Sequence, residues 1–362
     1  MNKNKVEVKK KTSIGGQALI EGVMMRGPEK SAMAVRNPEG EIVLESWVTY
    51  TKKRPRILKL PFIRGVINFV ESMAVGYKCL MRSAELAGLE DDEPKPGKKN
   101  AVAVEVIAGA SGGDASSPQA QTPAQADTPP EPIQIQEEEA QREQKQDSGG
   151  FSKLGMTLIF VISMLFGIAL AIGLFIMLPV FLFERLSIIF PALDNRILRA
   201  VFEGLIRIIL FVAYIASVSL MKDIKRVFMY HGAEHKTIFC FEKGEELTVE
   251  NVRRQIRFHP RCGTSFMILM LLVGIVVSMF IPFTNIILRT GTKLLTIPII
   301  VSIGYELIKL AGRTDHWIMR AISAPGIWLQ RVTTKEPTDD MIEVAIKSFT
   351  AVIPDEPEAD RL

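Results

Sequence analysis

Cysteine and histidine, the residues that most often form disulfides or hold transition metals, are scarce in this sequence. The 362 residues include three cysteines and four histidines. An odd and sparse set of cysteines gives no disulfide framework. The formal net charge is only +4, and the sequence has no basic face with interleaved aromatic residues, so nucleic-acid binding is not expected. The basic N-terminal stretch is not followed by an apolar core, which argues against a signal peptide there.

Apolar residues instead fill the middle of the chain. Hydrophobic residues make up 48 % of the sequence, and they concentrate between residues 151 and 310. Crossing the hydrocarbon core of a bilayer takes about 20 apolar residues. We therefore predict an α-helical membrane protein with four transmembrane helices, two within 151–221 and two within 264–310. Their apolar segments are 154–183, 200–221, 264–283 and the short 294–310.

Basic residues in the connections predict the orientation in the membrane. Residues 222–263 join the second and third predicted spans and carry nine lysines and arginines. The other two connections are short and carry few. By the positive-inside rule, the 222–263 loop is cytoplasmic. Four spans then place both termini in the cytoplasm, which predicts a multi-pass protein of the plasma membrane.

The ends of the chain predict a small α+β unit. Residues 1–89 contain a glycine-rich stretch that indicates tight turns, then a hairpin around residues 37–40 and an amphipathic helix over 61–86. Residues 311–362 contain a second amphipathic helix over 338–352.

Residues 90–150 are rich in proline, glutamine, alanine and glutamate, which predicts a disordered low-complexity linker. Because closing a long flexible loop costs little, the N-terminal unit can fold back. We therefore predict one cytoplasmic domain assembled from the N-terminal, central-loop and C-terminal segments.

A pair of histidines in the central loop is the first candidate for chemistry. The chain reads HGAEH from His231 to His235. Residues i and i+4 lie on one face of a helix, so both imidazoles can bind one metal ion. Glu234 between them has the position of a general base or of a residue that orients a ligand. This is the spacing of the inverted zinc peptidases, and it also occurs by chance on polar helices that hold no metal.

His259 and Cys262 form a second group of ligand-type residues, with two residues between them. The group resembles half a zinc knuckle in which histidine replaces the first cysteine. We predict a zinc site made from at least three of His231, His235, His259 and Cys262. Four protein ligands indicate a structural site, whereas three leave a position for water and indicate catalysis. The sequence leaves both possibilities open.

Three other polar residues carry weaker indications. Glu306 lies within the last predicted span, where a charge is costly, and it could pair with Arg207 or lie near the membrane surface. Glu21 and Arg26, in the glycine-rich stretch, are candidates for lining a pocket. A salt bridge in a tight turn is the alternative interpretation of these two residues.

Four stretches of the chain resemble DUF1385, a family of bacterial membrane proteins of unknown function. These stretches are GGQALIEGVMMRG at 15–27, HGAEHKT at 231–237, RFHPRCGTSF at 257–266 and SAPGIWLQ at 323–330. The resemblance covers nearly all of the chain outside residues 90–150. It implies a location in the bacterial cell membrane. Members of this family have been labelled metal-dependent enzymes, with no established reaction.

The leading hypothesis is a metal-dependent membrane enzyme, a hydrolase at the cytoplasmic face. Zinc held by His231, His235 and either His259 or Cys262 would polarise a water, with Glu234 as the base. The alternative is a non-enzymatic membrane scaffold or assembly factor with a structural metal site. A transporter is a third class, which needs polar residues at mid-membrane depth. The expected partner is the lipid bilayer, and the sequence indicates neither a substrate nor an oligomeric state.

Overall fold

The computed structural model describes residues 11–49, 62–89, 153–313 and 316–354, with isolated positions at 55, 58, 60 and 359. The predicted linker at 90–150 lies outside the described residues. Contacts divide the chain into a large unit, 1–106 with 174–362, and a second unit, 107–173. Most of the described residues are helical, and the described strands form one sheet near the N-terminus.

The sheet is an antiparallel meander with the order β1-β2-β3-β4. Its strands are β1 (Gly15–Leu19), β2 (Gly22–Arg26), β3 (Lys30–Arg36) and β4 (Ile42–Val48). The hairpin predicted around residues 37–40 is the β3–β4 connection. The glycine-rich stretch, predicted to form turns, is mainly the β1–β2 hairpin. Alternation explains the difference, since Val23 and Met25 enter one hydrophobic cluster and Met24 enters another on the opposite face.

The helices follow the sheet in the chain. They are α1 (Ile63–Leu86), α2 (Lys153–Ile172), α3 (Leu178–Ile189), α4 (Arg196–Val218), α5 (Lys222–Glu242), α6 (Val249–Arg253), α7 (Gly263–Ser278), α8 (Ile286–Leu295), α9 (Ile297–Arg313), α10 (Trp317–Thr333) and α11 (Asp339–Thr350). A π-helical stretch, Gly173–Met177, joins α2 to α3. The two predicted amphipathic helices are observed as α1 and α11. Asp339 and Asp340 open α11, where negative charge is favourable.

Two described helical segments are long and apolar enough to cross a membrane, Val161–Ile189 and Arg196–Val218. The helices α8 and α9, which meet at a bend of 43°, make a third if together they form one broken span. The helix α7 is apolar but has only 16 residues, a rise of about 24 Å against a hydrocarbon core of about 30 Å. Length and composition thus support two or three spans, and the fourth stays a prediction.

The sheet shares one hydrophobic core with α5, α6 and α11. Buried side chains from all of these elements meet in it, among them Val23, Tyr230, Val252, Ile342 and Phe349. Regions that are far apart in sequence therefore close a single folded unit around the N-terminal sheet. The location of this unit in the cytoplasm stays a prediction.

The helix α1 packs along α9, and this contact decides the partner of Glu306. Arg64 donates to Glu306 through Nε at 2.7 Å and Nη2 at 2.5 Å. Arg207 instead donates to the carbonyl oxygen of Phe175 at 2.7 Å. The suggested pairing of Glu306 with Arg207 is therefore wrong, because the amphipathic helix brings its own arginine to this carboxylate.

Gly232 allows α5 to approach the segment after α10. A Cβ added there would lie 2.0 Å from the carbonyl oxygen of Lys335, so alanine must push the two backbones apart. We expect Gly232→Ala to lower the free energy of unfolding by about 1–3 kcal/mol, seen as a lower Tm of the full chain in detergent. Gly291→Ala is the control, because nothing lies within 4 Å of its added Cβ. Equal Tm values for both variants would contradict this packing.

Candidate metal centre

Two histidines lie one turn apart on α5, and their rings are in contact. The ring centroids of His231 and His235 are 4.4 Å apart. Most residues from Tyr230 to Glu242 are buried, because the sheet and α11 cover this helix. The spacing of i and i+4 directs both imidazoles to the same side.

Cys262 completes a group of three ligand-type residues. It is the N-cap residue of α7, and its Sγ lies 3.1 Å from His231 Nε2. The ligand atoms of His231, His235 and Cys262 all lie within 4.8 Å of one another. The N–H of Thr264 donates to Sγ at 3.4 Å, and a helix N-terminus favours the thiolate form.

Backbone carbonyl groups orient both imidazoles. His231 Nδ1 lies 2.8 Å from the Thr333 oxygen, and His235 Nδ1 lies 2.5 Å from the Arg257 oxygen. A carbonyl oxygen only accepts, so each Nδ1 carries a proton and donates it, as in metal-binding histidines. His235 Nε2 is buried and has no hydrogen-bond partner among the described residues. A metal ion at the cluster would give this nitrogen a partner.

The charges in the cluster suit a thiolate ligand. Burial raises the pKa of Cys262, but His231 and His235 outweigh this effect and hold the pKa well below its ordinary value. Burial lowers the pKa of His231, yet Cys262 and Glu234 raise it to about 9 overall. In the metal-free protein, Cys262 and His231 are therefore a thiolate and an imidazolium at neutral pH.

Glu234 is a buried carboxylate beside this group, with only 5 % of its surface exposed. Its carboxyl group accepts a hydrogen bond from the backbone of Gly16 in β1. A Cβ added at Gly16 would lie 3.0 Å from Glu234 Cδ, so glycine is what lets the strand approach. Glu234 Oε2 has no hydrogen-bond partner in the described part of the chain. Burial raises the pKa of Glu234 in spite of the nearby histidines.

His259 lies next to the cluster but outside it. Its ring centroid is 5.6 Å from that of His235. Its Nδ1 accepts from the Arg261 N–H at 3.3 Å, and its Nε2 faces the Glu242 carboxylate at 3.7 Å. Its Nδ1 is thus engaged and its Nε2 faces a carboxylate outside the cluster, and burial lowers the pKa of His259 to about 4. Of the two predicted candidates for the third ligand, the structure brings Cys262 to the pair.

Comparison with known proteins agrees with the resemblance seen in the motifs. A family described as "Protein of unknown function (DUF1385)" matches residues 60–355. The chain belongs to the DUF1385 family. A relative from Bacillus subtilis (strain 168), "Uncharacterized protein YqhQ", is 33 % identical over 357 residues, which are 98 % of this chain and 95 % of the relative. No solved structure matches the chain significantly.

Two buried side chains of this DUF1385 protein, which sequence reasoning missed, hold the turn at His259. Gln330 of α10 accepts from the His259 N–H and donates to its carbonyl oxygen, both at 2.7 Å. Glu242, the last residue of α5, accepts from the Thr12 N–H at 3.0 Å and pairs with Arg261. Gln330 belongs to the SAPGIWLQ stretch, and the family resemblance of this stretch was the sequence signal that could have indicated its role. For Glu242 the sequence offered none.

Glu21 and Arg26 are paired with helices. Glu21, in the β1–β2 turn, accepts two hydrogen bonds from Arg226 at 2.5 Å and one from the Tyr230 hydroxyl at 3.2 Å. Arg26 donates to Glu71 of α1 at 3.0 Å. These contacts attach the sheet to α5 and α1. Both residues form salt bridges, but with helices and not within the turn, which differs from the alternative interpretation.

Cys262 of the metal-free protein is expected to be a thiolate at neutral pH. Burial raises the pKa of Cys79 and of Cys240 to about 11, so both remain thiols. Ultraviolet absorbance of the chelator-treated full chain should therefore show about one thiolate per chain. Cys262→Ser should remove this absorbance and Cys240→Ser should leave it. Absorbance that appears only as the pH rises to that of an ordinary thiol would contradict the pairing with His231.

Proposed function

We propose that this DUF1385 protein is a metal-dependent membrane enzyme, a hydrolase that works at the cytoplasmic face. The observation that carries the proposal is the convergence of three ligand atoms beside a buried carboxylate oxygen that has no partner among the described residues. His231, His235 and Cys262 would hold zinc, which binds imidazole and thiolate well. Three protein ligands leave one position for water, as catalytic zinc sites do.

Glu234 would be the general base. Zinc held by these residues would supply a Lewis acid for hydrolysis. Glu234 Oε2 would take the proton from the attacking water, and the raised pKa of the carboxyl group brings it closer to the operating pH of a base. The water oxygen would add to the electrophilic atom of the substrate as the bond to the leaving group breaks. The proton then passes from Glu234 to the leaving group.

The position of the site along the chain supports a place at the membrane surface. Cys262 directly precedes the apolar helix α7, and the apolar helix α4 ends at Val218, shortly before α5. Spans at α4 and α7, with the basic 222–263 connection inside, would put the cluster at the inner surface. Four spans, cytoplasmic termini and the bacterial plasma membrane belong to the same proposal.

A structural metal site is the second candidate, and burial of the ligands favours it. His235 is 1 % exposed and Cys262 is 7 % exposed, and β1 approaches Glu234 through Gly16. With a fourth ligand or a permanently closed site, the protein would be a membrane scaffold or assembly factor. The two candidates share their metal ligands and differ in the need for a base at position 234.

The metal proposal predicts the zinc content of the full chain. Protein purified gently and without chelators should carry about one zinc per chain, measured by elemental mass spectrometry. His235→Ala and Cys262→Ser should lose this metal, because each removes one of only three ligands. His259→Gln is the matched control and should keep it. Wild-type protein without bound metal would contradict the metal proposal.

The enzyme proposal predicts the effect of Glu234→Gln. Glutamine keeps the shape of the side chain and removes the base, so zinc content and Tm should remain those of the wild type. Loss of a general base typically costs about 10²–10⁴-fold in rate, and complementation of a deletion strain should fail. Glu250→Gln, at an exposed ion pair with Arg254, is the control. Full complementation by Glu234→Gln would favour the scaffold.

A further inference from the structure

A cleft of about 180 Å³ lies far from the metal centre along α7. Cys262 caps the start of this helix, and Ser278 at its end lines the cleft. The 16 residues of α7 rise about 24 Å, so the two sites are separate. The start of α4, the loop 281–284 and Arg289 of α8 complete the lining.

The lining of this cleft carries excess positive charge. It contains Arg196, Arg199 and Arg289 but only one carboxylate, Asp194. Arg199 pairs with Asp194, and its guanidinium carbon lies 5.3 Å from the centroid of the Phe183 ring. Two of the three arginines thus have no balancing carboxylate within the lining.

Arg289 offers a buried donor to the cleft. Its side chain is 4 % exposed, and its Nη2 pairs with Glu203. Lys293 pairs with the same carboxylate, so one negative charge is shared by two positive ones. Nη1 of Arg289 is buried without a hydrogen-bond partner in the described residues. Such a nitrogen is costly when left unpaired, and a small shift of the side chain towards the cleft would let an anion there pair with it.

Exposed apolar side chains are close in sequence to the charged lining. They come from the end of α3 and the residue after it, the start of α4, the α7–α8 connection and the start of α8, and include Ile188, Phe190, Ile197, Phe280 and Ile287. A basic cleft with an apolar rim, at the ends of apolar helices, matches the depth at which the headgroup of a lipid meets its acyl chains. Basic pockets between membrane helices bind such headgroups on the cytoplasmic side, and the proposed topology puts this cleft at the opposite surface, where the phosphate groups of the outer leaflet lie.

We propose that this cleft binds the phosphate group of an anionic phospholipid. Arg289 Nη1 would donate to a phosphate oxygen from below, with Arg196 and Arg199 at the mouth, because a guanidinium matches phosphate geometry. The volume of about 180 Å³ equals about six water molecules at roughly 30 Å³ each. That space holds a headgroup phosphate, while the acyl chains lie on the apolar rim. The site does not depend on the proposed hydrolase activity.

Calorimetric titration of the full chain in neutral detergent tests the proposal. The probes are dioctanoyl phosphatidylglycerol, dioctanoyl phosphatidylcholine and inorganic phosphate. We expect phosphatidylglycerol to bind tightest, because the choline cation opposes the arginines and inorganic phosphate lacks acyl chains. Equal binding of phosphatidylcholine would overturn the requirement for an anionic lipid. Binding of phosphate as tight as that of phosphatidylglycerol would show a site for the free anion instead, and no binding of any probe would overturn the site.

Three variants locate the binding. Arg289→Lys keeps a cation for Glu203 but loses the second nitrogen, and should weaken phosphatidylglycerol binding about tenfold with Tm unchanged. Arg196→Gln combined with Arg199→Gln should weaken it about a hundredfold. Arg185→Gln is the control, since Arg185 lies over Phe181 near the same helix ends and outside the lining. Equal loss in the control would mean nonspecific surface charge and would overturn the proposal.

Discussion

The burial of a polar helix is the constraint from which the rest of the folded unit follows. The helix α5 carries His231, Glu234, His235 and Glu242 into a core where unpaired polar groups are costly. Each of them therefore draws a partner from another region of the chain. Gly16 comes from the sheet, the Arg257 carbonyl from the loop before α7 and the Thr333 carbonyl from the end of α10. Contacts with the polar groups of α5 thus hold three distant regions of the chain against this one helix.

The same constraint separates the roles of the two histidine groups. At His259, Gln330 bonds to the backbone, the Arg261 N–H donates to Nδ1, and Nε2 faces the Glu242 carboxylate. At His231 and His235, each imidazole is held from behind by a carbonyl while its other nitrogen faces Cys262 or has no partner among the described atoms. One group is thus a hydrogen-bonded turn, and the other is the group to which the metal proposal assigns the ligands. That asymmetry gives the metal proposal its physical basis, and burial keeps the structural alternative open.

Two carboxylates in the apolar helices form ion pairs with basic residues of neighbouring helices. Glu306 of α9 is paired with Arg64 of α1, which anchors the amphipathic helix beside the apolar ones. Glu203 of α4 is paired with both Arg289 and Lys293 of α8. The first pair is balanced and structural. The second has one more cation than anion, and this imbalance distinguishes the proposed phosphate cleft from an ordinary ion pair.

Local patterns in the sequence determined much of the secondary structure and three of the four residues of the candidate site. Three features depend only on neighbours along the chain, so short sequence patterns are enough to predict them. They are the amphipathic periods of α1 and α11, the β3–β4 hairpin and the four-residue spacing of His231 and His235. The apolar runs likewise predicted membrane-type helices, although length supports two or three spans in the described residues.

Only the tertiary structure decided the remainder, because it depends on contacts between residues far apart in sequence. Cys262, rather than His259, joins the histidine pair because Gln330 and Glu242 engage the turn at His259. The glycine-rich stretch forms strands because its two faces meet different hydrophobic clusters. The partner of Glu306 and the unpaired nitrogen of Arg289 follow from helix packing. These contacts depend on which side chains the fold brings to each buried polar atom, and no spacing along the chain encodes that.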